Sequence, residues 1–151
     1  MLQLAQACDR TSVDELARQV HKLHVTWRPD LYNMPDELYP VERFNRAVAE
    51  RQLYVAKLEG VVVGYAHIKI CVYDWPGVVK RKVMILEELA VHELYRNRGI
   101  GSTIMDDVKA LALAFGCTDL QLGVYPQNDA AVAFYQKNGL TIRSIDMQMK
   151  L

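Results

Sequence analysis

The sequence predicts a mixed α/β fold of the α+β kind, with about four helices packed on a central mixed sheet of six to seven strands. Three observations carry this. A strand, a glycine turn, a helix and a second strand follow one another between Ile85 and Val124. A hairpin pattern precedes them between Gln52 and Val72, and two helical apolar patterns lie upstream of the hairpin. A strand–helix–strand unit of this length implies parallel pairing with a right-handed crossover. A hairpin is antiparallel, so the sheet is mixed.

In chain order, Leu2 to Ala7 alternates as a first strand. Ser12-Val13-Asp14-Glu15 has the spacing of a capping box, and Val13, Leu16, Val20, Leu23 and Trp27 then recur at helical intervals until Pro29 stops them. His21 and His24 lie near the end of that helix. They lack further ligands nearby, so no metal site is expected and they read as solvated or capping histidines. After the Arg28–Asp36 loop, Leu38, Val41, Phe44 and Val48 mark a second helix ending near Glu50. Gln52–Leu58 and Val61–Val72 are strands joined by Glu59-Gly60, with Gly64 at a bend. Tyr73 to Gly77 is an aromatic loop, and Val79-Lys80-Arg81-Lys82-Val83 leads into the central strand with its basic triplet at a solvated edge or near a phosphate. Ile100, Ile104, Val108, Leu111 and Phe115 form one helical stripe closed by Gly116. Asp119–Val124 is the returning strand. Asn128-Asp129 caps a short helix with Ala131, Phe134 and Tyr135, and Leu140–Leu151 reads as a strand pair or one bent strand.

Composition bounds the function. The chain of 151 residues fits one domain, residues 1–151, with a single core. Lys+Arg and Asp+Glu balance at 18 each, so the overall charge gives no case for nucleic acid or an anionic membrane. Met1 to Ala5 lacks the basic flank and apolar run of a secretory signal, and no run reaches transmembrane length. Cys8, Cys71 and Cys117 are widely spaced and odd in number, which fits a reducing cytosol and small core or half-buried roles. The expectation is a cytoplasmic protein.

The chemistry concentrates in Ile85–Ser102. Gly99 and Gly101 let the backbone bend sharply and approach a ligand. The helix that follows presents unpaired N–H groups and a partial positive charge. With Arg96 and Arg98 beside it, the turn suits a phosphate. A dinucleotide fingerprint needs a third glycine where Ile104 stands, and a Walker loop needs Gly-Lys-Ser/Thr where Gly101-Ser102 stands, so both fail. Glu87 and Glu88 are the only carboxylates in an otherwise apolar strand, and alternation places them on opposite faces.

The Leu-Ala-Val strand end, the Arg-x-x-Gly-x-Gly turn, and the downstream Asn128-Asp129-Ala130-Ala131 with Phe134-Tyr135 and Gly139 resemble the GNAT superfamily of N-acetyltransferases, as in its small bacterial-type single-domain members. The His24–Tyr32 stretch is similar to the substrate-side loop of some bacterial members. The resemblance implies two parallel strands, ending at Val91 and Val124, that splay around acetyl-CoA as acetyl donor. The pantetheine arm would pair near Leu89, Ala90 and Val91. The pyrophosphate would sit on the turn of Arg96, Asn97, Arg98, Gly99, Ile100, Gly101 and Ser102, and Asn128 would face the cofactor arm.

By the same resemblance, Glu87 or Glu88 acts as general base, with Glu87 favoured, and Tyr135 protonates the departing thiolate. The alternative reading is that either carboxylate pairs with a basic side chain on the hairpin face and that Tyr135 packs beside Phe134 against the sheet. A lysine-type ammonium, with pKa of about 10.4, must lose a proton before attack, which is why a base is sought. The implied activity is acetyl transfer to a primary amine of a small molecule by direct attack in a ternary complex. A protein lysine or N-terminal acceptor, and a non-catalytic acetyl-CoA sensor, are the alternatives. Trp27, Tyr32, Tyr73 and Trp75 would line the acceptor pocket. A homodimer through the final strand or the hairpin is a further expectation.

Overall fold

The computed structural model describes residues 1–151, and the strand patterns assemble into one five-stranded sheet in chain order. β1 (Leu2–Leu4), β2 (Leu53–Leu58), β3 (Val61–Tyr73) and β4 (Arg81–Val91) are antiparallel neighbours, and β5 (Asp119–Gln121) lies parallel to β4. The helices are α1 (Arg10–Trp27), α2 (Val41–Ala49), α3 (Ile100–Ala114) and α4 (Asp129–Lys137).

Alternation along the strands assigns their side chains to two cores. On one face Leu53, Val55, Tyr65 and Ala90 meet Val13 and Leu16 of α1 and Phe44 of α2. On the other, Tyr54, Val63, Met84 and Leu86 meet Ile104, Met105 and Val108 of α3, with Phe134 and Tyr135 of α4 at its margin. Full burial of one such leucine or phenylalanine contributes about 1.5–3 kcal/mol. Gly64 lies where the second layer is tightest. A Cβ there would sit 2.8 Å from both the Ala90 carbonyl and Ile104 Cδ1, so close packing, rather than a bend, accounts for this glycine. No helix is long and apolar enough to cross a membrane.

Three elements differ from the sequence pattern. α1 begins at Arg10, ahead of Ser12, because a 3-10 turn at Ala7–Asp9 runs directly into it; the Asp9 carboxylate closes that turn by accepting the Gln6 N–H at 2.9 Å and pairs with Lys57 Nζ at 2.8 Å. β5 ends at Gln121, short of Val124. The sheet has five strands, not six to seven, because residues 141–151 form no strand. The last backbone bond runs from Leu140 N–H to the Tyr135 carbonyl, and Ile142, Ile145, Met147, Met149 and Leu151 are exposed. Apolar alternation marks a strand only where a sheet edge receives it, and this arm leaves α4 without meeting one.

The feature that positions the site is a split in the sheet. β4 and β5 pair only from Val83–Asp119 to Ile85–Gln121. β4 continues to Val91 with β3 on one flank and no strand on the other. The gap runs from Leu86 to the end of β4 and opens on the glycine turn.

Candidate active site

At the head of the gap, β4 carries a bulge. His67 of β3 faces Glu88 and Ile68 faces Leu86, which leaves Glu87 as the extra residue. Leu86 and Leu89 both pack in the α3 core, so the two residues between them fall on the α1–α2 face. Glu87 and Glu88 therefore share a face, contrary to simple alternation. The bulge alters the period at this one step.

The two carboxylates differ in surroundings. Glu87 is exposed. Glu88 is enclosed by donors: the hydroxyls of Tyr39 and Tyr65 donate to Oε2 at 2.7 and 2.6 Å, and Arg43 donates to Oε1 at 2.7 Å. Burial opposes its ionisation, but the Tyr65 and Tyr39 hydrogen bonds and the Arg43 charge outweigh it and hold its pKa below the ordinary value. Arg43 also lies 4.0 Å over the Tyr39 ring, and the Tyr39 hydroxyl meets His67 Nδ1 at 2.8 Å.

Tyr39 reaches this position because α1 grips the loop before α2. Arg10 donates to the Tyr39 carbonyl and Asp14 Oδ1 accepts the N–H groups of Leu38 and Tyr39. Arg18 donates to the carbonyls of Pro35 and Asp36, and His21 Nε2 meets the Asn33 carbonyl. Positions 10, 14, 18 and 21 lie on one stripe of the helix.

The stripe's next turn presents His24 and Trp27. His24 is half-buried, not solvated. Its ring stacks on Tyr32 at 5.4 Å and lies 5.7 Å from Tyr125 and 6.0 Å from Trp27. Burial and the neighbouring His21 lower its pKa, against the pull of Glu88, so the imidazole is neutral at pH 7. The hydroxyls of Tyr32 and Tyr125 meet at 2.7 Å and join the α1 loop to the segment after β5. Tyr73 and Trp75 lie elsewhere. Tyr73 is six residues along β3 from His67, about 20 Å at the rise of a strand. There it pairs edge-on with Trp75 and takes the Arg81 guanidinium on its face, so neither belongs to a pocket beside the bulge.

At the other end of the gap, Asn97 and Gly99 take left-handed φ values of 60° and 79°. This turns the amides of residues 97–102 away from any backbone acceptor. A Cβ on Gly99 would meet nothing within 4 Å, so the ground before it is open. Gly101 serves a different purpose: a Cβ there would lie 3.1 Å from the Phe134 ring, so its smallness admits α4. Arg96 Nε donates to the Val91 carbonyl at 3.0 Å and ties the turn to the strand end, while Arg98 lies over Tyr95. The basic triplet is committed elsewhere, with Lys80 on Asp74, Arg81 on Asp119 and Lys82 on the Phe115 carbonyl.

A family model for the acetyltransferase (GNAT) family matches residues 17–140. The chain belongs to this family. It is 36% identical over 78 residues to a thialysine N-epsilon-acetyltransferase of Bos taurus, a match covering 52% of this chain and 44% of that protein. The chain thus spans less than half the length of this curated relative. The F44R mutant of the BH1408 protein from Bacillus halodurans superposes with a TM-score of 0.94 at 28% identity, over 100% of this chain and 99% of that one. Aminoglycoside N-acetyltransferase AAC(6')-Iy in complex with CoA gives a TM-score of 0.71 at 16% identity, over 100% of each chain, and shares the fold.

Leu89 to Val91 and the two glutamates follow one another along the part of β4 that β5 leaves unpaired, and Tyr135 of α4 packs against the α3-side core. Burial pushes the Tyr135 phenol up, so it keeps its proton. Asn128 is occupied in part: its side-chain oxygen accepts the Ala131 N–H at 3.1 Å and caps α4. Sequence reasoning placed His24 and Arg28 in the substrate-side stretch without giving either a role in the site, and did not single out Tyr39, Arg43 or Tyr125. The i, i+3 spacing of His21, His24 and Trp27 was the one available signal.

Proposed function

We propose that this GNAT protein is an N-acetyltransferase that moves the acetyl group of acetyl-CoA to a primary amine of a small molecule. The carrying observation is the gap between β4 and β5, which leads from the open amides of residues 97–102 to an exposed carboxylate on the bulge. Acetyl-CoA would lay its pyrophosphate on the turn, beside Arg98, with Arg96 fixing the strand end. Its pantetheine arm would pair along Leu89 to Val91 and bring the thioester to the bulge. The acceptor enters from the α1–α2 face, past Trp27 and Tyr32.

Glu87 has the lone pairs free to take a proton from the ammonium. Those of Glu88 are engaged by Tyr39, Tyr65 and Arg43. The neutral amine then attacks the thioester carbonyl in the ternary complex. A strand amide near Leu89 holds the oxyanion. Collapse breaks the C–S bond and Tyr135 gives its proton to the leaving thiolate; the nitrogen sheds its second proton to restore the phenol, and the proton held by Glu87 passes to solvent. The name of the bovine relative points the same way, toward a side-chain amine as acceptor.

Calorimetric titration with acetyl-CoA, followed by an amine panel monitored for free thiol, tests the reading. Binding with thiol release on one class of amines supports it. Binding with no release on any small amine would point instead to a protein acceptor or to a sensor. Tyr135→Phe lowers kcat by about a hundredfold, within the usual contribution of a general acid, and leaves the Kd for acetyl-CoA unchanged. Undiminished turnover removes Tyr135 from the mechanism.

A further inference from the structure

The loop between α1 and α2 is fastened to both walls of the gap in the sheet. One wall is β4, where the Tyr39 hydroxyl donates to Glu88 Oε2 at 2.7 Å. The other wall is the chain that follows β5. Residues 122–125 run on from the last β4–β5 pair, Ile85–Gln121, without a backbone bond to β4. On that wall the hydroxyls of Tyr32 and Tyr125 meet at 2.7 Å.

These links close a ring. It runs from Glu88 to Tyr39, back along the loop to Tyr32, across to Tyr125, down to Gln121, and over to Ile85 of β4, which leads again to Glu88. Glu87 stands on the β4 side of this ring, and its carboxylate is the exposed one. α1 holds the middle of the loop by its backbone. Arg18 donates to the Pro35 and Asp36 carbonyls, and Asp14 accepts the Leu38 and Tyr39 N–H groups.

The links differ in strength. The Tyr39–Glu88 bond has an ionised acceptor, and Tyr39 is fully buried. Ile85–Gln121 is part of the sheet ladder. The Tyr32–Tyr125 bond joins two neutral, half-buried phenols, and its segment is otherwise tethered only where the Asn128 N–H meets the Tyr125 carbonyl. The phenol pair is therefore the link that parts most readily.

We propose that the Tyr32–Tyr125 hydroxyl pair sets the width of the acceptor entrance and so selects amines by shape. With the pair closed the ring admits an unbranched amine. A branched or cyclic amine needs the pair apart. The proposal rests on the acetyl-transfer reading above, with the acceptor entering on the α1–α2 face.

Tyr32→Phe, Tyr125→Phe and the double variant keep both rings and remove only hydroxyls. The experiment compares kcat/KM at saturating acetyl-CoA for n-hexylamine and cyclohexylmethylamine. The wild type should favour the unbranched amine by about tenfold, the scale of discrimination by pocket shape. Each single variant should reduce that ratio by about fivefold, the scale of one neutral hydrogen bond. The double variant should reduce it no further, because either substitution alone breaks the same bond. Hydrogen exchange reads the tie without turnover. The Tyr32 amide, which donates to the Arg28 carbonyl at 2.9 Å, should exchange about fivefold faster in Tyr125→Phe. An unchanged amine ratio, additive effects of the two substitutions, or unchanged exchange would overturn the proposal while leaving acetyl transfer to amines intact. No thiol release with any primary amine by acetyl-CoA-loaded wild type would overturn both.

Discussion

Glu88 receives two tyrosine hydroxyls and one guanidinium on a half-buried carboxylate. Glutamine keeps one acceptor oxygen for the tyrosine hydroxyls but removes the charge that Arg43 pairs with, so Glu88→Gln should cost about 1 kcal/mol at pH 7 by urea denaturation. The pH dependence has a definite sign. The folded-state pKa lies below the ordinary value of 4.5, so this stabilisation is fully present above pH 4.5 and is lost as pH falls through the folded value. The gap between wild type and Glu88→Gln should narrow below pH 4.5. A constant gap down to pH 3 would show that the charge of Glu88 is not what stabilises the fold. The sequence singled out both carboxylates because an apolar strand has few reasons to carry them. It placed them on opposite faces, because a bulge depends on pairing with β3 and leaves no mark in β4 alone. Tyr39, Arg43 and Tyr125 were illegible for a related reason: their roles come from partners 28 to 93 residues away.

At the level of elements, α1 serves as both core helix and clamp. Its apolar positions 13 and 16 face the sheet, while positions 10, 14, 18 and 21 hold the loop by its backbone groups. Asp14→Ala leaves the Leu38 and Tyr39 amides without an acceptor. It should cost about 2 kcal/mol and lower Tm by about 6 °C. Because that loop positions Tyr39 and Tyr32, KM for the amine should rise more than KM for acetyl-CoA. Equal changes in the two constants would show that the clamp does not shape the acceptor side. The elements themselves were largely readable, since a 3.6-residue apolar period, a two-residue hairpin turn and a glycine before a helix each leave a local signature. The loop's conformation was not, because side chain-to-backbone bonds across sequence separations follow no period.

At the scale of the whole molecule, the division of the sheet makes one edge of β4 available to a ligand while its other edge remains locked to β3. The splayed pair followed from resemblance, and the structure supplies its extent, since pairing stops at Gln121. The strand count was less legible because the final segment carries strand-like alternation with no edge to receive it. That segment is also the protein's most vulnerable stretch. With no backbone hydrogen bonds after Leu140 and exposed throughout, it can enter a protease cleft without prior unfolding. Dilute trypsin should cut after Arg143 before any site in the sheet, and the clipped protein should keep its far-ultraviolet circular dichroism. Mass spectrometry of the first fragments reports whether the tail is as accessible to cleavage as its geometry requires.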